Sequence, residues 1–243
     1  MRIDKVARIY FGLSLFAISL LIAANIAGYW VGDYVGAAND LLEVKRETHG
    51  VETNSSATRE EVDAARARIS KASANFEPIA RRRTMHTLIS IAAALVTVLV
   101  NSITVTYFIG TGKWCSEVVE AYKLDEDLAE QSGRLKSKAF PWSVLGICMV
   151  LVIAMLGAAS DPGATLDEAV KYLIWHHIVS ILGTLVIIVA FFMQIGKIGA
   201  NYELIDAILQ EVKKERQKRG LDTDTEGTYY REQPNPDDSP LHE

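Results

Sequence analysis

Hydrophobic positions along this 243-residue chain fall into long unbroken blocks, not stripes. Residues 9–31, 85–109, 142–159 and 173–195 contain no Asp, Glu, Lys or Arg. A run of about 18 apolar residues or more can cross the roughly 30 Å hydrocarbon core of a bilayer as one helix. Four such runs, the third the shortest, predict an all-α integral membrane protein with four transmembrane helices in a bundle. For the first block the competing reading is a cleaved signal. Arg2, Lys5 and Arg8 would form its basic start, but the block ends in "AANIAGYWVG" with no clean small-x-small site, which favours a retained anchor.

Between the blocks the pattern changes to helical stripes. Good helix formers follow the first block, so its helix is expected to run on without stopping at the membrane surface. Tyr34, Ala37, Leu41 and Val44 fall at 3, 4, 3 spacing, and Val62, Ala65, Ile69, Ala72 and Phe76 repeat it after the turn "THGVETNSSA". Thr58 with Glu61 three residues on reads as a capping box at the start of the second stripe. Two stripes joined by a turn predict an antiparallel helical hairpin outside the membrane. Pro78 is expected to interrupt its second arm, because proline lacks the N–H and clashes with the preceding turn.

After the second block, "GTGKWCSEVVEAY" predicts a break and then a short amphipathic helix. Trp114, Val118 and Tyr122 would share a face suited to the bilayer interface. "GTGK" is no phosphate loop, since Trp114 stands where a P-loop needs Ser or Thr. Asp161-Pro162-Gly163 marks a turn that makes the third and fourth spans antiparallel neighbours. Past the fourth span, Tyr202, Ile205, Ile208, Leu209 and Val212 share a helix face. Lys213, Lys214, Arg216, Lys218 and Arg219 close that helix, a basic end suited to anionic lipid. The polar, proline-containing stretch from Leu221 predicts disorder. The chain thus divides into 1–31 (N-terminus and first span), 32–84 (hairpin) and 85–110 (second span). Then come 111–141 (amphipathic loop), 142–195 (third and fourth spans), 196–219 (basic amphipathic helix) and 220–243 (acidic tail).

Charge refines this picture in two ways. The formal net charge of −5 is concentrated in the tail, where seven acids after Arg219 face only Arg231; the rest is near neutral and makes no case for nucleic acid. The distribution of Lys and Arg between loops also suggests orientation. Arg2, Lys5 and Arg8, the 113–138 loop and the C-terminal basic helix fall on one side, and the acidic 160–172 loop on the other. The expectation is the inner membrane of a bacterium with both termini cytoplasmic, against which only the triplet Arg81-Arg82-Arg83 votes.

Candidate chemistry is sparse. Cys115 and Cys148 have no metal-ligand spacing, and the spans carry no mid-membrane carboxylate or amine of the kind transporters use. Asn101, Ser102, Thr104, Thr184 and Gln194 are the other polar residues within the spans, and Asn101 is expected to hydrogen-bond a neighbouring helix. Span parity brings the start of the second span, with His86, and of the fourth, with His176 and His177, to one membrane face, where Asn25 also arrives. Two neutral imidazoles on facing helices can ligate a haem iron axially. Adjacent histidines diverge by about 100° on a helix, so only one of the pair is expected to face inward. The plainer reading is a polar collar at the interface beside Tyr172 and Trp175. It needs no cofactor, and zinc is disfavoured for want of Cys or acidic ligands.

The sequence alone therefore favours a non-enzymatic scaffold, assembly or sensory component acting through helix–helix contacts. Its partners would be the lipid bilayer and either another protein or a second copy, met through the 34–76 hairpin or the 198–212 helix face. The alternative is a haem b- or quinone-binding subunit of an electron-transfer complex, using His86 with His176 or His177. A transporter or channel ranks third.

Overall fold

A computed structural model describes residues 3–160 and 166–221, with side chains from 8–160 and 170–221. The turn at Asp161-Pro162-Gly163 and the tail 222–243 lie outside the described residues. Five helices make up the described residues: α1 (Ile3–Val31), α2 (Tyr34–Thr53), α3 (Arg59–Tyr122), α4 (Glu126–Ala159) and α5 (Leu166–Lys218). Four of them are long and apolar enough to cross a membrane.

Two expected breaks are absent and one unexpected break is present. Pro78 lies inside α3, which runs unbroken through 64 residues, about 96 Å at 1.5 Å per residue. Pro78 removes one donor, but it and Ala74, whose carbonyl loses that partner, are both exposed, so the helix is not left with a buried orphan. The break predicted at "GTGK" also disappears, since Gly110 to Lys113 lie within the same helix. Conversely, the first helix stops at Val31. Gly32 turns the backbone at φ +79°, a region glycine enters without steric cost. Asp33 then starts α2 by accepting a hydrogen bond from Gly36 N at 2.8 Å.

One buried face explains the length of α3. Ala65, Ala93, Thr97, Val100, Thr104, Phe108, Cys115 and Val119 are all buried, at spacings that add up from threes and fours. The first stretch of α3 packs on α2, where Thr48 Oγ1 donates to Ala65 O at 3.3 Å and Arg66 pairs with Glu52 at 2.9 Å. The capping box forms: Glu61 N donates to Thr58 Oγ1, and Glu61 Oε2 accepts from Thr58 N at 2.7 Å. The hydrogen bonds that Thr58 N and Thr58 Oγ1 donate to Glu61 Oε2 hold the Glu61 carboxyl below its usual range. A depressed carboxyl contributes stability above its unfolded value and loses it as pH falls through the folded value. Protection of the first α3 amides from hydrogen exchange should therefore drop on acidification. Thr58→Ala should weaken it at neutral pH by roughly fivefold, the equivalent of about 1 kcal/mol for a lost cap. An equal pH response in wild type and variant would refute this account.

Helices α1, α3, α4 and α5 are neighbours in that cyclic order, so α3 and α5 stand opposite one another. Ala17, Leu21, Ala93, Val100, Val150, Ile187 and Phe191 fill the space between them. Next to this layer lies a closed polar knot. Gln194 Oε1 accepts from Tyr10 Oη at 2.6 Å and from Thr104 Oγ1 at 2.7 Å, while its Nε2 donates to Asn101 Oδ1 at 2.9 Å. Gly146 of α4 presses on the Asn101 amide, where even a Cβ would stand only 2.9 Å away.

Beyond the knot, the ends of α3 and α5 and the start of α4 continue as packed helices. Trp114 and Val118 do not face outward as an interfacial stripe. They pack with Leu128, Leu204, Ile205 and Ile208, because α5 extends alongside and covers that face. The basic turn of α5 is about 35 Å beyond residue 195 along one continuous helix. There Arg216 reaches Tyr122 Oη and Arg219 donates to Tyr122 O at 3.2 Å, tying α5 to the α3–α4 turn.

A candidate cofactor cavity between opposed histidines

At the end of the packed helices nearest α2 lies a cavity of about 620 Å³. That falls in the range of roughly 300–1,000 Å³ usual for small-molecule and cofactor sites. His86 reaches it from α3, and His176 and His177 from α5. The expectation that only one of the adjacent pair could face inward is thus corrected. Both line the cavity, since an imidazole reaches far enough from the helix axis to bend toward a void on either flank. Their ring centroids are 6.0 Å apart.

The geometry of His86 and His176 is paired. His86 Nδ1 lies 3.0 Å from Ala24 O of α1, and His176 Nδ1 lies 3.2 Å from Ile153 O of α4. A carbonyl has no proton to give, so each Nδ1 carries the hydrogen, and in the neutral ring Nε2 then keeps its lone pair. Each ring also rests on a glycine of the same flanking helix. A Cβ on Gly28 would come within 3.1 Å of His86 Cε1, and one on Gly157 within 3.0 Å of His176 Cε1. Two opposite helices supply imidazoles, and the two helices between them supply the carbonyl and the notch that seat each one. The centroids of His86 and His176 are 6.3 Å apart with planes at 70°. His177 is set differently: its Nδ1 binds Leu173 O of its own helix at 2.8 Å, and its ring lies 5.2 Å from that of Tyr29.

The cavity floor is polar and internally satisfied. Asn25 donates to Thr184 Oγ1 at 3.0 Å and to Leu21 O, and it accepts from Ser180 Oγ at 2.9 Å. At the mouth, Arg83 stands over the Tyr34 ring at 4.6 Å. Ala24, Ala93, Ala94, Val150, Ile153 and Ala154 form apolar walls.

Iron held by two imidazoles through bonds of about 2 Å each, the length usual for metal–imidazole bonds, would set the ring centroids about 6 Å apart. The centroid separation is of that size, and the cavity volume is in the range usual for cofactor sites. A carbonyl-anchored imidazole is also the usual state of a metal-ligating histidine. Among the described residues, no three His, Cys, Asp or Glu side chains are placed to hold a metal ion, so a zinc centre has no support there. Cys115 is buried and Cys148 exposed, and they are unpaired.

Gly28, Gly157 and Tyr29 escaped the sequence reading, and Tyr34 enters it only as a seam residue of the hairpin. Gly28 sits in a small-residue run whose only apparent bearing was on signal cleavage, and Gly157 looks like the frayed end of a span. No protein family matches the chain, and no curated protein or solved structure matches it.

Proposed function

We propose that this chain is a multi-pass membrane protein that holds a haem b between His86 and His176 and serves as an electron-carrying subunit of a membrane redox complex. The observation that carries this reading is the paired seating of the two imidazoles: opposite helices, centroids 6.3 Å apart, each Nδ1 occupied by a neighbour's carbonyl. Membrane insertion is supported by the outward faces. Ile26 is 66% exposed, Leu95 67%, Met155 70% and Phe192 62%, an apolar surface that water would not tolerate over the length of four helices. With the N-terminus cytoplasmic, the cavity would lie toward the extracytoplasmic face, with α2 and the start of α3 standing above it.

Bound haem would supply one-electron chemistry. The protein's part would be to present His86 and His176 from opposite helices, to fix their tautomer through Ala24 O and Ile153 O, and to line the cavity with apolar walls. The expected result is direct. The purified protein titrated with ferric haem should develop a six-coordinate low-spin spectrum, sharpened on reduction. His86→Ala and His176→Ala should each abolish the bis-imidazole form, and His177→Ala should retain it. Absence of a Soret shift in the wild type, or its survival in both His86→Ala and His176→Ala, would sink the reading.

A second reading, an assembly role, is favoured by the two-helix arm. Leu42 stands 48% exposed on α2, a 20-residue helix packed chiefly on α3. Removal of residues 34–76 should then lower the oligomeric mass measured in detergent; an unchanged mass argues against it.

A further inference from the structure

Three imidazoles line the cavity, and the haem reading uses two of them. His177 is left over. Its Nδ1 lies 2.8 Å from Leu173 O, and among the described residues that is its one hydrogen bond. The carbonyl can only accept, so Nδ1 carries the hydrogen, and in the neutral ring Nε2 keeps its lone pair. A partly buried acceptor without a partner costs free energy that a ligand's donor can recover.

The place of His177 narrows which ligand supplies that donor. Its ring centroid is 6.0 Å from that of His176, the proposed iron ligand, and 5.2 Å from that of Tyr29 on α1. It therefore stands on the flank of the cavity where α5 meets α1. Tyr29 is 62% exposed, and Ile26, Ile178 and Ile181, each within about one helical turn of the pair, are exposed as well. All of them belong to the uncharged blocks 9–31 and 173–195, so in a bilayer this flank borders hydrocarbon. None of the described residues that line the cavity from α1 and α5 carries a fixed charge. The polar side chains of Asn25, Ser180 and Thr184 there are bonded to one another. What the flank offers is one acceptor nitrogen beside one aromatic face. Its complement is an uncharged, flat, apolar ring that carries a hydroxyl.

We propose that His177 Nε2 accepts a hydrogen bond from the hydroxyl of a membrane-soluble hydroquinone whose ring lies against Tyr29 between α1 and α5. The choice of a hydroquinone rests on the haem reading above, because an electron-carrying subunit needs a reduced partner and this class joins a flat apolar ring to a hydroxyl donor. The contact itself involves neither His86 nor His176.

Duroquinol (tetramethylhydroquinone) and duroquinone share one carbon skeleton, but only duroquinol has hydroxyl donors. Anaerobic calorimetry of the full-length protein in lipid nanodiscs, without haem and at about pH 8, where an ordinary imidazole is neutral, compares them directly. The wild type is expected to bind duroquinol about tenfold more tightly than duroquinone, the size of one well-made hydrogen bond. His177→Phe keeps a ring and removes the acceptor. It should weaken duroquinol to the level of duroquinone and leave duroquinone unchanged, whereas His177→Gln, whose amide oxygen still accepts, should restore part of the preference. Tyr29→Leu should weaken both probes alike. A wild type without preference for the reduced probe overturns the assignment, as does a His177→Phe protein that keeps the preference or loses both probes equally. No effect of Tyr29→Leu on either probe overturns the placement between α1 and α5. Ferric haem tests the other reading separately. A His177-dependent preference for duroquinol without a bis-imidazole haem spectrum would uphold this contact and reject the haem, and the reverse pair of results would keep the haem and reject the contact.

Discussion

A Gly157→Leu protein is expected to bind at the histidine cavity roughly fivefold to hundredfold more weakly while remaining folded. A single Cβ at this position would stand 3.0 Å from His176 Cε1 and 3.4 Å from its Nδ1, closer than unstrained carbon contacts allow. Leucine adds three further carbons in the same direction. The imidazole must then swing away from α4, which breaks its 3.2 Å bond to Ile153 O one turn earlier on that helix. Its Nδ1 loses the acceptor that fixed the tautomer, and the ring leaves its place opposite His86. Overpacking of this kind costs about 1–3 kcal/mol, and the same energy taken from ligand binding is roughly a fivefold to hundredfold weakening. Gly157→Ala should fall between wild type and leucine. Gly12 is the control, because a Cβ there meets nothing within 4 Å, so Gly12→Leu should leave binding unchanged. Haem titration of the three variants checks the order, and wild-type affinity in Gly157→Leu would remove the glycine notch from the account.

Gln194→Leu should cause the largest loss of stability. Gln194 is fully buried, and its one amide joins α5 to both α1 and α3. Leucine fills a similar space but leaves Tyr10 Oη, Thr104 Oγ1 and Asn101 Oδ1 facing an apolar group. Interhelical hydrogen bonds in membrane proteins average about 0.6 kcal/mol each, so three amount to roughly 2 kcal/mol. Orphaned polar atoms, at about 1–3 kcal/mol apiece where no water reaches them, can take the total to about 4 kcal/mol. Reversible unfolding by SDS in mixed micelles measures it. Phe192→Leu, two residues away on an outward face, should stay within about 0.5 kcal/mol of wild type. A Gln194→Leu value in that same band would mean the knot is decorative. The cavity should keep its ligand in this variant if the protein is held folded, since Ile187 and Phe191 separate the knot from the polar floor.

The number of apolar helices was legible because it depends on length and charge alone. A block without charge and longer than about 18 residues has few other uses. The capping box at Thr58 was legible for a similar reason: its bonds close within four residues. Helix ends were less so. Pro78 and the "GTGK" run look like stops, yet whether a helix survives a proline or a glycine pair depends on what its other faces touch. α3 survives both because α2, then α1, α4 and α5 in turn, cover one continuous stripe along it. At Gly32 the same logic runs the other way, since a left-handed glycine and the Asp33 cap end a helix that composition alone would extend.

The histidines show the boundary most clearly. Block lengths and span parity, read from the chain alone, bring His86, His176, His177 and Asn25 to one level, because helices that alternate direction return to the same face. Which atoms meet at that level is a matter of rotation about each helix and of the helix standing between. Only the packed structure sets His86 opposite His176, assigns Ala24 O and Ile153 O to their Nδ1 atoms, and gives Gly28 and Gly157 a purpose. It also gives Arg83, which reads in sequence as one of three interchangeable arginines, a place over Tyr34 at the cavity mouth. Local periodicity specifies the face of a single helix; the pairing of faces is decided by side-chain volumes on several helices at once, and no window along the chain contains them all.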